Sequence, residues 1–417
     1  MTVRSTLDTH SSDRANVLHG NIIDRGSPGK RSHAKIPQSK RQMIISIFIV
    51  CAIVASSVQL LMLQSQRNAE RSPLPARISM TPHDPIIIVG NPDFLITDAV
   101  RSGNGDPGDP YIISDWAINA TDGIGIYIIG TDADFVIRNV TINSSAQNND
   151  AIRLEGVTNG QIRNVTISNC FEGIAITNGC SNIIVSDSTI IDNADCGIIT
   201  QFGTTSYVDI KSNKISANGG TGIALDTTSH FNIMSNNVTT NDPSSGGRRP
   251  VTLVKCSIGV VTGNDLDAVF NPAMYSNTCQ NVVVANNSFS SVWNFCIEMR
   301  VCSGFLIYHN NFLGVPPQAF DNWGPENMWN SSYPAGGNYW IDYTGVDEKS
   351  GPIQNLPGSD GIGDLPYVID VNTTDYYPLN KTGKIEPIPE FPTLLLPIIS
   401  VLALLFAAVR RTSRKDL

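Results

Sequence analysis

Between residues 123 and 315, apolar and polar positions recur together with a period near 23 residues. One element reads aliphatic-x-x-Asn-x-aliphatic, at 210–215, 233–238, 261–266, 284–289 and 307–312. Its asparagines, Asn213, Asn236, Asn264, Asn287 and Asn310, are 23, 28, 23 and 23 residues apart. The longer step holds a polar insertion at 242–249, expected as an exposed loop. Earlier repeats keep the frame without the asparagine, at 137–142 and 162–167. A second element opens each repeat with Gly or Ala and an aliphatic pair, at 123–126, 151–154, 173–176, 197–200 and 222–225.

Each repeat thus offers two or three short alternating strands, too short to bury a face alone. Such units must stack, one coil per repeat, around a shared apolar column. Equivalent residues then lie ~4.8 Å apart, and the asparagines form a ladder of side-chain amides bonded from rung to rung. Leucine-rich repeats need a Leu framework that is absent, propeller blades need about 40 residues, and no long segment in the body shows helical periodicity. The expected fold class is all-β: a right-handed parallel β-helix with a small C-terminal capping module and N- and C-terminal transmembrane helices.

Two apolar runs carry the membrane expectation. Residues 43–63 and 391–409 are each about the ~20 residues that cross a bilayer core. Lys30, Arg31, Lys35, Lys40 and Arg41 precede the first, and Arg410, Arg411, Arg414 and Lys415 follow the second. Basic flanks at both outer ends place both termini in the cytoplasm and residues 70–385 outside. A cleaved signal peptide is the other reading of 43–63, although no small-x-small cleavage site follows it. The chain then divides into a basic segment (1–42), a span or signal anchor (43–63), a linker (64–79) and an N-terminal cap (80–122). The coils (123–315), a closing module (316–382), a linker with the second span (383–409) and a basic tail (410–417) complete it.

Charge sharpens this picture. Residues 1–41 carry +5 and 410–417 carry +3, so with the whole chain at −9 the middle carries −17. A domain that acidic repels nucleic acid, and cations are its natural small partners. Nine Asn-x-Ser/Thr sequons lie between the two apolar runs, from Asn119 to Asn380, in agreement with an outside location.

The ends of the body resemble a known group. Residues 83–91 and 105–113 look like the N-terminal cap, and 336–345, 360–364, 366–369 and 375–379 like the closing module, of archaeal surface proteins with NosD-like, PbH1-type β-helix domains. Pro389-Glu-Phe-Pro392, the apolar run and Arg410-Arg411 resemble a PEF-type C-terminal sorting signal, which implies processing by a membrane protease. The resemblance covers about residues 80–415. It implies a membrane-held surface protein, includes sugar-binding relatives, and through the group's name implies copper handling.

Three sets of residues are candidates for chemistry. Cys180, Cys256, Cys279 and Cys302 share one frame position, the last three 23 residues apart. They suit an interior stack, an inter-rung disulfide or, less simply, a copper(I) thiolate site. Asp150, Glu172 and Asp195 each precede a coil-opening strand, with Arg153 and Arg163 nearby. Rung spacing brings neighbouring carboxylates within the ~5–5.5 Å of retaining glycosidases, and like-charge repulsion raises a carboxyl pKa. The catalytic candidates are therefore Asp150, Glu172, Asp195 and Arg153, although turns also favour Asp. In the closing module, Asp342, Asp347, Asp360 and Asp364 lie among glycines, in the kind of oxygen-rich loop Ca²⁺ takes. These four are the candidate ligands of a structural calcium. The alternative is turn chemistry closing the column against Trp323, Trp329, Trp340 and Tyr343.

The expected role is structural or carbohydrate-binding, at the cell membrane with the β-helix facing the exterior. The partners are the membrane and surface polysaccharide or other cell-envelope components, with no nucleic acid. The alternatives are a polysaccharide lyase or glycoside hydrolase, or extracellular copper handling.

Overall fold

The computed structural model describes residues 80–239, 248–292, 295–322 and 326–383. The apolar runs 43–63 and 391–409, most of the polar insertion and Trp323 lie outside them. No helix among the described residues is long and apolar enough to cross a membrane.

Three short strands recur per coil, and like strands of successive coils pair in parallel into three long sheets. Face I has ten strands, from Ile86–Val89 through Ile126–Ile129, Ile152–Glu155, Ile174–Thr177 and Ile198–Gln201 to Ala319–Asp321. Face II, also of ten, includes Ser181–Ser186, Thr205–Lys211, Thr228–Met234, Ser257–Thr262 and Gln280–Ala285. Face III has eleven strands and ends at Tyr339–Trp340. The one antiparallel partner in these sheets, Val100–Ser102 against Tyr111–Ser114, closes face II at its N-terminal end.

Alternation drives the fold because the inward residue of each strand stacks on its counterpart one coil away. On face I, Ile126, Ile152, Ile174, Ile198, Ile223 and Val251 form one such column, all fully buried. Each buried aliphatic side chain is worth about 1.5–3 kcal/mol, and no coil obtains that without neighbours. Gly173, Gly197 and Gly222 fill the tight corner before face I. A Cβ on Gly197 would lie 2.7 Å from the Gly222 carbonyl oxygen. In the first full coil this place belongs to Gly125, because Ile126 pairs with Ile152. The alignment beginning at Gly123 is therefore two residues out.

The asparagine ladder stands at the bend between faces II and III. Asn213, Asn236, Asn264 and Asn287 each direct both the backbone N–H and the side-chain Nδ2 to the next asparagine's Oδ1, at 2.9–3.0 Å. The residue before each bends left-handed, as at Ser212, Ser235 and Asn286. The ladder continues through Asn310 to Asn338 and ends on Asp375. The buried Asp375 carboxylate accepts from Asn338 N at 2.7 Å, Trp340 Nε1 at 3.0 Å and Tyr377 N at 3.0 Å. Burial pushes its carboxyl up to about 7, against those donors.

The C-terminal end of the column is aromatic. Phe289, Phe312, Trp340 and Tyr367 stack in sequence with ring centroids 5.4, 4.2 and 4.3 Å apart. Trp329 packs beside them and is almost fully buried. The closing module thus shields the last coil with indole and phenol rings while Asp375 satisfies its amides.

Candidate functional site

Face I and the corner before it gather Asp150, Glu172 and Arg153, whereas Arg163 lies on face II, in the strand Gly160–Arg163. Pairing carries Tyr127, Arg153, Ala175 and Ile199 along one outward row, and Ile129, Glu155, Thr177 and Gln201 along the other. Asp150 and Glu172 occupy equivalent places on consecutive rungs, since Gly125 N bonds to Asp150 O and Ala151 N to Glu172 O. The next equivalent residue is Cys196, bonded through its carbonyl to Gly173 N. Asp195 therefore stands one residue out of register, because the coil from Glu172 onward is longer than the one before.

Asp150 is 1% exposed. Its Oδ2 accepts from Arg153 Nε at 2.7 Å and lies 2.6 Å from Nη2, while Oδ1 has no hydrogen-bond partner. Burial pushes the Asp150 carboxyl up and the Arg153 guanidinium opposes that push. Glu172 is 4% exposed. Burial and then the charges of Asp150 and Asp195 raise its carboxyl to about 7. Gln201 Nε2 lies 3.3 Å from both Glu172 oxygens. On the outer wall the Tyr127 hydroxyl donates to Glu155, which also accepts from Asn178 Nδ2 at 2.7 Å. These bonds hold Glu155 below the usual carboxylate range and Tyr127 above the usual phenol range.

The other two candidate sets are engaged in the protein's own hydrogen bonds. Among the described residues no three His, Cys, Asp or Glu side chains gather to hold an ion. The four aspartates of the calcium expectation are each engaged by protein donors. Asp347 accepts from Ser359 Oγ and from the backbone N–H groups of Asp360 and Gly361. Asp360 takes Gly351 N, Gln354 Nε2 and Ile362 N. Asp364 takes the N–H groups of Glu348 and Lys349. Asp342 takes Tyr367 Oη and Gln318 Nε2. Each carboxylate ties together separate stretches of the closing module.

Cys256, Cys279 and Cys302 do stack on consecutive rungs, with Thr205 and Thr228 standing between Cys180 and Cys256 in the same column. All are buried free thiols, so the disulfide option is not taken up. Cys180 Sγ accepts from Val157 N and Cys279 Sγ from Cys256 N, both at 3.3 Å. The bond to Cys256, with burial behind it, pushes Cys279 up to about 12. Sulfurs so placed satisfy backbone donors; burial pushes the Cys180 thiol up, while the bond with Cys279 pulls Cys256 down.

Sequence reasoning missed the residues around this core. Tyr127 belongs to the site only through cross-coil register. A groove on face II, lined among others by Tyr207, Asp209, His230 and Asn232, had no counterpart in the motif reading.

Comparison with known proteins agrees with the architecture. A family model for the right-handed beta helix region matches residues 103–247. No curated protein sequence matches. Among solved structures, the Azotobacter vinelandii mannuronan C-5 epimerase AlgE6 A-module is 13% identical, with 53% of this chain and 65% of that one covered and a TM-score of 0.40. DFA-IIIase from Arthrobacter chlorophenolicus A6 is 13% identical over 56% of this chain and 64% of that one, with a TM-score of 0.36. The Streptococcus pneumoniae surface protein and adhesin PfbA is 12% identical over 53% and 77%, with a TM-score of 0.39. The chain thus spans less than two thirds of the first two, and at these identities the likeness concerns the fold alone. Pairing, core and family model together make the body of this chain a right-handed parallel β-helix.

Proposed function

We propose that this is a membrane-anchored cell-surface protein that binds polysaccharide along face I. The observation that carries the reading is the outer wall itself. Tyr127, Arg153, Glu155, Asn178 and Gln201 stand on adjoining rungs, half-buried or exposed, and all five are preset by bonds to their neighbours. A repeating wall of phenol, guanidinium, carboxylate and amide matches a polymer whose hydroxyls repeat along its length. Prior fixing of the side chains limits the ordering cost of binding. The apolar runs with basic flanks and the end modules resembling NosD-like surface proteins support the location.

The test is affinity electrophoresis of the full chain through a panel of neutral and acidic polysaccharides. Wild type is expected to be retarded by at least one of them, and Arg153→Gln to lose most of that retardation. No retardation by any polysaccharide overturns the reading.

One observation favours a second, catalytic reading. With its carboxyl near 7, Glu172 is divided between acid and carboxylate at neutral pH, one rung from Asp150. It is the group to protonate a glycosidic oxygen, as general acids with raised pKa do. Turnover of a bound polysaccharide that Glu172→Gln abolishes, with binding kept, establishes this reading. Binding without turnover in wild type refutes it.

A further inference from the structure

We infer that face II carries a second, separate glycan site, a groove that takes a neutral pyranose chain. It needs nothing from the face I reading. The long strands of face II contain a kink at their second or third residue, where φ turns positive. Cross-coil pairing places these residues in one row: Asn182, Tyr207, His230, Ile258 and Asn281. Asn and Gly adopt that left-handed conformation readily, bulky and β-branched side chains reluctantly. The rungs at either end conform, with Asn182 and Asn281. In between, Tyr207 has φ 56° and Ile258 φ 55°.

Burial does not compensate for that conformation, since Tyr207 is 55% and Ile258 50% exposed. Strain retained without packing is the kind of observation from which a functional hypothesis is drawn. The Tyr207 and His230 rings stack at 4.7 Å with planes 24° apart, so two adjacent rungs present one aromatic wall.

Beside this wall runs a groove of about 510 Å³ whose floor includes Asp209, Asn232 and Val260. Asn232 Nδ2 donates to Asp209 Oδ1 at 2.7 Å, and Asp209 Oδ2 has no partner among the described residues. The Phe231 ring is seated just beneath, in space that exists because its neighbour on the next rung is Gly259, where a Cβ would lie 2.1 Å from the ring. A phenol, an imidazole, a carboxylate and an amide beside apolar walls are what a sugar ring needs. Its C–H patches meet the rings, and its hydroxyls meet Asp209 and Asn232. The carboxylate repels uronates and sulfated sugars, so the ligand is neutral.

The structure also supplies a decisive variant. Asparagine is the residue of the flanking rungs, so Tyr207→Asn with His230→Asn relieves the backbone while deleting the wall. Calorimetric titration of the full chain with neutral hexaoses of glucose, mannose, xylose and galactose, and with a hexauronate, tests the site. Wild type is expected to bind at least one neutral hexaose. The double variant is expected to bind it at least tenfold more weakly while its Tm rises by about 2 °C. Arg153→Gln, on face I, is expected to leave this tenfold difference intact, which separates the two sites. Three outcomes overturn the inference: no neutral hexaose binds wild type, the double variant binds as well as wild type, or its Tm falls together with binding, which makes the rings structural.

Discussion

Replacing Asn287 by alanine tests how much the amide ladder holds. Asn287 Oδ1 accepts the backbone N–H and the Nδ2 of Asn264, both at 2.9 Å. Its own Nδ2 donates to Asn310 Oδ1 at 3.0 Å, Val261 O at 2.8 Å and Ala285 O at 3.1 Å. Asn264 Nδ2 keeps Ile233 O and Thr262 O as acceptors after the change. The Asn264 backbone N–H keeps nothing, and the bonds to Val261 O and Ala285 O vanish without water to replace them. A buried polar group left unmatched costs about 1–3 kcal/mol. Two or three such groups set the expected loss at about 3–5 kcal/mol. Urea unfolding followed by circular dichroism measures it, and hydrogen exchange at the Asn264 amide shows that the loss is local. Asn287→Asp sharpens the test, because a carboxylate still accepts both Asn264 bonds but cannot donate when ionised. It should lose stability at pH 7 and recover part of it near pH 4. An alanine variant within 1 kcal/mol of wild type, with the Asn264 amide still protected, refutes the reasoning.

Three other outcomes follow from the same geometry. The raised Glu172 carboxyl makes the fold hold a proton that the unfolded chain has released, so stability falls as pH rises from about 4.5 to about 7. Glu172→Gln should flatten that slope and be more stable than wild type at pH 7 by up to about 3 kcal/mol, with no advantage at pH 4, as thermal melts across pH would show. Ile258→Asn should raise stability by about 1 kcal/mol, because the side chain is half exposed and its left-handed backbone costs about 1–2 kcal/mol. A fall in Tm contradicts that. Asp375→Asn supplies one amide oxygen where two carboxylate oxygens were bonded and turns its NH₂ against a donor, Asn338 N or Tyr377 N. The expected destabilisation is about 1–3 kcal/mol, read by urea unfolding.

The body was legible because its signal is arithmetic. A 23-residue step in Asn264, Asn287 and Asn310, or in Cys256, Cys279 and Cys302, can be aligned by counting, and the structure stacks them. Where coil length changes by a few residues, counting fails, which is why Asp195 is offset from Glu172 and Gly125 replaces Gly123. Thr205 and Thr228 share the cysteine column, but nothing in their identity announces it. Asp375 ends the ladder 37 residues after Asn338, across a module without the repeat. The acidic residues of that module read two ways because Asp among glycines suits an Asx turn as well as a calcium loop. Tyr207 and His230 escaped notice because a left-handed kink inside a strand leaves no trace in apolar alternation.

Crystals of the protein soaked with the polysaccharide fragment that it binds most tightly would test the proposed function most directly. The account predicts sugar electron density crossing the rungs of Tyr127, Arg153 and Gln201 on face I. Density confined to face III or to the closing module, with face I bare, would contradict it.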